Sequence, residues 1–195
     1  MTVDITPAQS TSDSRDPLLA DVEAVLHAAP ERTPEERFEA WTWRALLHRH
    51  GAQLWSRDCA PAHLTASAAV LDHDLTHCAL VLHGRVHKWL QPGGHLEPGD
   101  TGAAAAAARE VAEETGLVAE VPPTLLRLSR HRAPCRPGVV DWHLDLQFLI
   151  VCARTPVQVS DESHDAGWWP LDALPEPLAP GITDLLHLAR QQAGG

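Results

Sequence analysis

The chain lacks the features that mark proteins working on nucleic acids or in membranes. It carries a net charge of −11, from 26 acidic and 15 basic side chains, and Lys88 is its only lysine. A surface of this kind does not attract a nucleic-acid backbone. No apolar stretch reaches the ~18 residues that would cross a bilayer. We therefore expect neither nucleic acid nor a membrane to be a partner.

Paired cysteines and a secretory signal are lacking as well. The four cysteines, Cys59, Cys78, Cys135 and Cys152, form no CxxC motif and have no histidine at zinc-finger spacing. We interpret them as free thiols in a reducing cytoplasm, with Cys78 and Cys152 on strands, and we expect no bound zinc. Residues 1–16 have neither a basic start nor an apolar core, and their polar composition predicts a disordered tail.

The rest of the chain changes from a helical to a mixed pattern. Apolar spacing predicts a helix over residues 18–29 and a second one that Thr33 caps and that ends near His50. The residues expected on the core side of this second helix are Trp41, Trp43, Leu46 and Leu47. Strands are expected near residues 63–72, 77–83, 124–132 and 141–153, and a closing helix over 181–192. We divide the chain into the tail, a helical extension over 17–61 and one α/β domain over 62–195.

An acidic helix is the most informative segment. Residues 109–117 read Arg-Glu-Val-Ala-Glu-Glu-Thr-Gly-Leu, which spaces Glu110, Glu113 and Glu114 at i, i+3 and i+4 on one helical face. Like charges at these spacings cost roughly 0.2–0.5 kcal/mol per pair. Gly116, as a C-cap, also places them at the negative end of the helix dipole. A bound Mg²⁺ or Mn²⁺ would relieve both penalties, whereas the alternative is a solvated acidic surface.

A glycine loop precedes this helix. Residues 89–102 read Trp-Leu-Gln-Pro-Gly-Gly-His-Leu-Glu-Pro-Gly-Asp-Thr-Gly. Gly93 and Gly94 allow the backbone to approach a ligand closely. Thr101 is the predicted cap of a helix that continues through six alanines, Ala103–Ala108. The order is therefore strand, glycine loop, helix and carboxylates.

Together these residues resemble the Nudix box, G-x5-E-x7-R-E-U-x-E-E-x-G-U, where U is apolar. The second half matches at every fixed position from Arg109 to Leu117. In the first half, Asp100 stands where glutamate is usual, and eight residues rather than seven separate it from Arg109. We hypothesise that the longer loop brings Asp100 back to Arg109. The resemblance covers about residues 62–190 and includes Trp168–Leu174, which is similar to a W-x-x-L segment that follows the family's last strands.

The resemblance implies a fold and an activity. The implied fold is a Nudix-type α/β/α sandwich with a mixed β-sheet, here with an N-terminal helical extension. The implied activity is Mg²⁺- or Mn²⁺-dependent hydrolysis of a phosphoanhydride bond in a nucleoside diphosphate linked to another moiety. The expected metal ligands are Glu110, Glu113, Glu114 and a backbone carbonyl at Gly93 or Gly94. Glu110 is either a third ligand or the base, and Glu114 and Arg109 are counted with it among the catalytic residues. Arg109 would pair with a carboxylate such as Glu113 and orient it.

Several residues outside the box are further candidates. By resemblance, Glu162 supplies a catalytic base or another metal ligand, although Asp161 or Asp165 would serve equally. The predicted substrate contacts are His95, Arg127, Arg130 and Arg132, whose positive charges suit phosphates. His143 and Asp145 alternate on one strand and share a face. We favour structural roles for the remaining histidines.

Two other functions on the same fold stay open. A relative of isopentenyl diphosphate isomerase would need a cysteine and a histidine-rich metal site, and the sequence shows no such group. A non-catalytic, nucleotide-binding regulatory module usually loses box glutamates, and this chain keeps the three in the helix. The sequence is compatible with a homodimer and does not select the nucleotide or the general base.

Overall fold

The computed structural model describes residues 16–56, 62–136 and 139–195, without the side chains of residues 133–136 and 139–141. The predicted disordered tail therefore lies outside the described residues, apart from Asp16, which caps the first helix through the Leu18 N–H. The α-helices within the described ranges are α1 (Pro17–His27), α2 (Pro34–His50), α3 (Ala103–Thr115) and α4 (Ile182–Gly194). None of these helices is long and apolar enough to span a membrane.

The strands of the described ranges form one mixed sheet. They are β1 (Ala62–Asp72), β2 (His77–His83), β3 (Trp89–Leu90), β4 (Gly93–His95), β5 (Thr124–Arg136), β6 (Val139–Cys152) and β7 (Ser163–Pro170). The order is β3-β2-β1-β6-β5, with β4 paired to β1 and β7 paired to β2. β1 and β6 run parallel, and the other pairs run antiparallel. The predicted α/β sandwich with a mixed sheet is confirmed.

Two local predictions are wrong. Trp168 lies inside β7 and does not follow the last strand, because Ser163–Pro170 pairs along β2 although its sequence has no alternating pattern. Trp41 is 62% exposed, whereas Trp43 and Leu47 of the same helix are buried as predicted.

Alternation along the strands divides the core between two faces of the sheet. One face packs Leu64, Ala66 and Phe148 in a core that also includes side chains from α1, α2 and α3. On the other face, Ala69 and Leu149 pack beside α4. The helical extension therefore shares a core with the α/β domain.

The face that carries α4 continues into a row of polar side chains. The parallel register of β1 and β6 pairs them directly, in the order His63 with His143, Thr65 with Asp145, and Ser67 with Gln147. We call these six residues the polar strip. Because paired residues on adjacent strands point to the same side, the strip forms a continuous polar row beside β4, and this row is buried except at His143.

The first helix caps the helix that carries the acidic residues. The N-cap of α3 is Gly102, and the Ala103 N–H donates a 2.7 Å hydrogen bond to Asp21 Oδ2 of α1. A Cβ at position 102 would lie 2.6 Å from the Asp21 carboxyl carbon, so only glycine leaves room for this carboxylate. The predicted cap at Thr101 is therefore wrong, because a side chain distant in sequence provides the acceptor.

Replacing Asp21 by alanine should destabilise α3 at its first turn. The free energy of unfolding should fall by about 1 kcal/mol, the usual cost of losing an N-cap, with a further loss of attraction to the helix dipole. Amide hydrogen exchange at Ala103 should accelerate. The exposed Asp74→Asn variant is the control and should change neither property. Unchanged exchange at Ala103 in Asp21→Ala would contradict the capping role.

Candidate active site

The three box glutamates lie where α3 meets β4. Glu114 is 9% exposed, and its Oε2 accepts a 2.8 Å hydrogen bond from the Gly93 N–H. Glu110 is half-buried, and the Glu113 side chain is 58% exposed. The helix ends at Gly116, whose left-handed backbone is the C-cap that the sequence predicts. Exposure of the carboxylates to solvent therefore increases from Glu114 through Glu110 to Glu113.

Gly94 provides the space for Glu110. A Cβ at position 94 would lie 2.5 Å from Glu110 Oε1, a distance that real Cβ atoms do not show. Any side chain at this position would therefore displace the carboxylate. Gly94 is therefore required for the space that its missing side chain leaves, in addition to any flexibility it gives the loop.

Arg109 joins the loop to the helix. Its Nε and Nη2 bind the two Asp100 oxygens at 2.9 and 3.1 Å, which confirms the hypothesis that the longer loop returns Asp100 to Arg109. Its Nη1 binds Glu110 Oε1 at 2.9 Å and Glu113 Oε2 at 3.1 Å, and this second bond confirms the predicted i, i+4 pair. Nη2 also donates to the backbone carbonyl of His95 at 3.0 Å. One guanidinium therefore holds two helix carboxylates and the end of β4.

The electrostatic environment differs between these groups. Burial, together with the charges of Glu110, Glu162 and Glu113, raises the pKa of Glu114 to about 7, although the Gly93 hydrogen bond opposes the rise. Burial also raises the pKa of Glu110, against the effect of Arg109. The pKa of Asp100 is lowered, because the Arg109 bonds and the Glu97 amide outweigh burial.

Glu162 belongs to the same electrostatic site, since its charge contributes to the raised pKa values of both Glu110 and Glu114. It comes from the segment before β7, and α3 contacts β7. Of the three acidic residues that the sequence left as alternatives in this segment, Glu162 is the one whose charge is among the main causes of the raised pKa values of Glu110 and Glu114.

The donor set suits a hard divalent cation. It consists of carboxylate oxygens and nearby backbone carbonyls, which Mg²⁺ and Mn²⁺ prefer. Burial raises the pKa of Glu114 more than its hydrogen bond from Gly93 lowers it. A cation between the glutamates would supply compensating positive charge.

The polar strip places a second buried carboxylate beside this site. Asp145 is 2% exposed. Its oxygens accept hydrogen bonds from Thr65 Oγ1 at 3.0 Å, Ser67 Oγ at 2.7 Å and Gln147 Nε2 at 2.9 Å. Arg127 extends the network by donating to Gln147 Oε1 at 2.7 Å. Of the predicted substrate contacts, Arg127 therefore lies next to the polar strip and is bonded to it through Gln147. Sequence reasoning identified Asp145 but not the side chains that bind it.

Arg130 and Arg132 lie on the opposite face of the sheet. Their guanidinium carbons lie 5.0 and 5.4 Å from the ring centre of Trp142, and Arg130 pairs with Glu39 of α2 at 3.1 Å. The sheet separates both arginines from Arg127. Their face is the one that α2 and α3 cover, and the two guanidinium groups are engaged by Trp142 and Glu39 there; their contact with substrate phosphates stays a prediction.

Three histidines come together at one end of the polar strip. His63, His95 and His143 each offer a nitrogen, and these atoms all lie within 4.8 Å of one another. Sequence reasoning considered these histidines one by one and did not predict that they meet. The missing signal was strand pairing, because β1, β4 and β6 bring together residues that are far apart in sequence.

The cysteines with described side chains do not form part of a histidine-rich catalytic site. Cys78 and Cys152 are free, buried and on strands, as predicted. Burial raises the pKa of these thiols to about 12 and about 11, which makes both poor acids and nucleophiles. This property argues against either one serving in an isomerase-type reaction.

The structure is an α/β sandwich in which the short strand β4, with Gly93 and Gly94, is hydrogen-bonded to the glutamate-bearing helix α3. A family model described as the NUDIX domain matches residues 61–189. The chain belongs to the Nudix family.

Several known proteins are similar to this chain. The mouse 8-oxo-dGDP phosphatase NUDT18 is 36% identical over 106 residues, which cover 51% of this chain and 28% of the mouse protein. The human protein of the same name is 37% identical over 117 residues, which cover 54% of this chain and 32% of that protein. The matches thus span about a third or less of these curated relatives. The NUDIX domain of Shewanella oneidensis NrtR, solved in complex with ADP ribose, superposes with a TM-score of 0.55 at 25% identity and covers 66% of this chain and 86% of that one.

In metal-free protein, Glu114→Gln should increase stability, and the gain should grow with pH. Folding raises the pKa of Glu114 from 4.5 to about 7. The folded state therefore has its full stability below pH 4.5, where Glu114 is protonated in both states, and loses stability as the pH rises through 7. Glutamine does not ionise, and the variant should gain up to about 3 kcal/mol at pH values above 7. Thermal unfolding in chelator across this pH range measures the difference. Glu35→Gln, an exposed change on α2, should follow the wild type, and parallel pH profiles for Glu114→Gln and wild type would contradict the assignment.

Deleting the exposed Ala105 should impair the site although it restores the usual box spacing. The deletion would rotate the two parts of α3 by about 100° relative to each other. Asp100 and the Asp21 cap would then no longer align with Arg109 and the glutamates. We expect lower thermal stability and loss of metal-dependent activity. Replacing Ala105 by serine is the matched control, and a deletion variant as active as the parent would show that the extra residue is neutral.

Proposed function

We propose that the protein is a Mg²⁺- or Mn²⁺-dependent hydrolase that cleaves a phosphoanhydride bond in a nucleoside diphosphate linked to another moiety. The observation that carries this proposal is the arrangement of Glu110, Glu113 and Glu114. They lie on one helix, Arg109 holds two of them, and the third is buried with a raised pKa. A merely solvated acidic face would not need a buried carboxylate at its centre.

The residues that would hold the cation are Glu110, Glu113, Glu114 and the backbone carbonyl of Gly94. A bound cation neutralises negative charge on phosphate oxygens and lowers the pKa of a water molecule. The Gly93 amide fixes one oxygen of Glu114, and Arg109 fixes one oxygen each of Glu110 and Glu113. Arg109 is therefore a positioning residue, and the ligands are oriented before the substrate arrives.

The attacking water must lose a proton to a nearby base. The candidates are Glu110, Glu114 and Glu162, because the charges of Glu110 and Glu162 both contribute to the raised pKa of Glu114. Glu162 is exposed and comes from a different element, so we assign the proton to it and the ligand roles to the helix. Glu162→Gln should then lower kcat while the affinity for Mn²⁺ stays unchanged.

The nucleotide would bind along the exposed edge of the polar strip next to β4. Arg127 supplies donors there, and buried Asp145 holds Thr65, Ser67 and Gln147 in place. The His95 carbonyl links the strip to Arg109. The candidate substrates are nucleotide sugars, dinucleoside polyphosphates, ADP-ribose and damaged nucleotides. Similarity to an 8-oxo-dGDP phosphatase and to a domain that binds ADP ribose makes 8-oxo-dGDP and ADP-ribose the first two to test.

A nucleotide-binding module without catalysis is the second candidate. The structural neighbour solved with ADP ribose supports binding at this fold. The two functions differ in one measurement, because a binding module would retain the nucleotide without releasing product. A cytoplasmic location agrees with the free, buried thiols of Cys78 and Cys152. A homodimer stays a prediction.

Glu114→Gln should lower kcat by at least about a hundredfold, on the scale of removing one charge-stabilising group from an active site. Product release from 8-oxo-dGDP and ADP-ribose with Mg²⁺ or Mn²⁺ is the measurement, and Glu35→Gln is the control of equal charge change. Equal activity of Glu114→Gln and the wild type would refute the carboxylate site. Nucleotide binding without any turnover by the wild type would favour the binding module.

A further inference from the structure

The histidine cluster is a second concentration of metal-ligand atoms, distinct from the carboxylates. The nitrogens of His63, His95 and His143 lie within 4.8 Å of one another. His63 is fully buried, and the other two are half-buried. Ring centres are 4.9 Å apart for His63 and His95 and 4.7 Å apart for His63 and His143. The cluster therefore opens to solvent on one side and is closed on the other.

Three separate strands fix these histidines. His63 and His143 are direct partners in the parallel β1–β6 pair, and His95 is paired with Thr65, the next residue on the same face of β1. His131 of β5 is paired with His143, with ring centres 5.2 Å apart. Strand pairing with β1 holds the backbones of His95 and His143 beside His63, so the fold itself brings the three imidazoles together.

The chemistry of this group differs from that of the carboxylate site. Imidazole nitrogens suit Zn²⁺ and related transition metals, whereas Mg²⁺ prefers oxygen. A tetrahedral zinc site has Zn–N distances of about 2.0–2.1 Å, which separates its ligands by about 3.3 Å. Nitrogens that already lie within 4.8 Å reach this spacing by small side-chain rotations. Three imidazoles leave a fourth position for water or another ligand.

We propose that His63, His95 and His143 form a binding site for one Zn²⁺ or a similar divalent transition metal, separate from the glutamate site. The site shares β4 with that centre. The His95 backbone carbonyl accepts a 3.0 Å hydrogen bond from Arg109, which binds Glu110 and Glu113. A metal on the His95 ring would therefore fix the strand that Arg109 uses as an anchor.

Co²⁺ is the probe that separates the two sites. Co²⁺ bound by imidazole nitrogens in a four-coordinate site absorbs visible light strongly, whereas six-coordinate Co²⁺ on oxygen ligands absorbs weakly. The tag-free full chain is stripped with chelator and titrated with Co²⁺ in excess Mg²⁺, which occupies the carboxylates. We expect strong absorption that saturates at one Co²⁺ per chain and that Zn²⁺ displaces.

Variants assign the signal to the cluster. His95→Gln and His143→Gln replace half-buried residues, and each should weaken Zn²⁺ binding by about a hundredfold or more, beyond the 10–100-fold cost of losing an outer partner. His164→Gln is the matched control, because His164 contacts His87 at 3.1 Å in a histidine pair outside the cluster. This control and Glu114→Gln should keep the wild-type Co²⁺ spectrum.

Three results would overturn the proposal. They are a wild type without strong absorption, cluster variants with wild-type affinity, and loss of the signal in His164→Gln instead. Circular dichroism shows whether each variant is folded, and if one cluster variant unfolds the other decides. Because Glu114→Gln removes hydrolysis and leaves the Co²⁺ spectrum unchanged, failure of this site is distinct from failure of the proposed function.

Discussion

The structure of the active centre depends on the bonds of Arg109. A guanidinium offers five N–H donors in a fixed plane, and here these donors reach Asp100, Glu110, Glu113 and the His95 carbonyl. Lysine would provide one point charge and could not hold a loop, two helix carboxylates and a strand at once. The arrangement also explains how the chain tolerates an extra residue before the helix. The shorter aspartate reaches the arginine from a longer loop, and the spacing of the glutamates within the helix is untouched.

Two buried carboxylates, Asp145 and Glu114, show the difference between a structural and a chemical use of charge. Asp145 accepts bonds from Thr65, Ser67 and Gln147, so neighbouring donors offset its desolvation. Glu114 has one bond, from Gly93, and its pKa rises to about 7. Neighbouring side chains account for the burial of Asp145. Glu114 has fewer donors, so a bound cation would lower the free energy of its ionised form.

The sequence predicted what depends on local spacing. The helical register of Glu110 and Glu113 and the contact between Asp100 and Arg109 both follow from residues close together in the chain. The capping of α3 by Asp21 and the meeting of His63 with His143 depend on contacts between elements distant in sequence, which periodicity does not encode. Alternation along a strand already puts residues 127 and 130 on opposite faces, so the sequence also indicated that these two arginines do not share a surface. β7 was missed because its residues show no alternation at all.

The three residues of β4 give this strand a larger role than its length suggests. The Gly93 amide holds Glu114, the absent side chain of Gly94 leaves space for Glu110, and the His95 carbonyl holds Arg109. The His95 ring meanwhile faces the imidazoles of the histidine cluster. A displacement of this strand along β1 would therefore change the positions of Glu114, Glu110 and Arg109 together. A metal bound at the proposed histidine site would hold the same backbone that orients the glutamates, so β4 is the physical connection between the two sites.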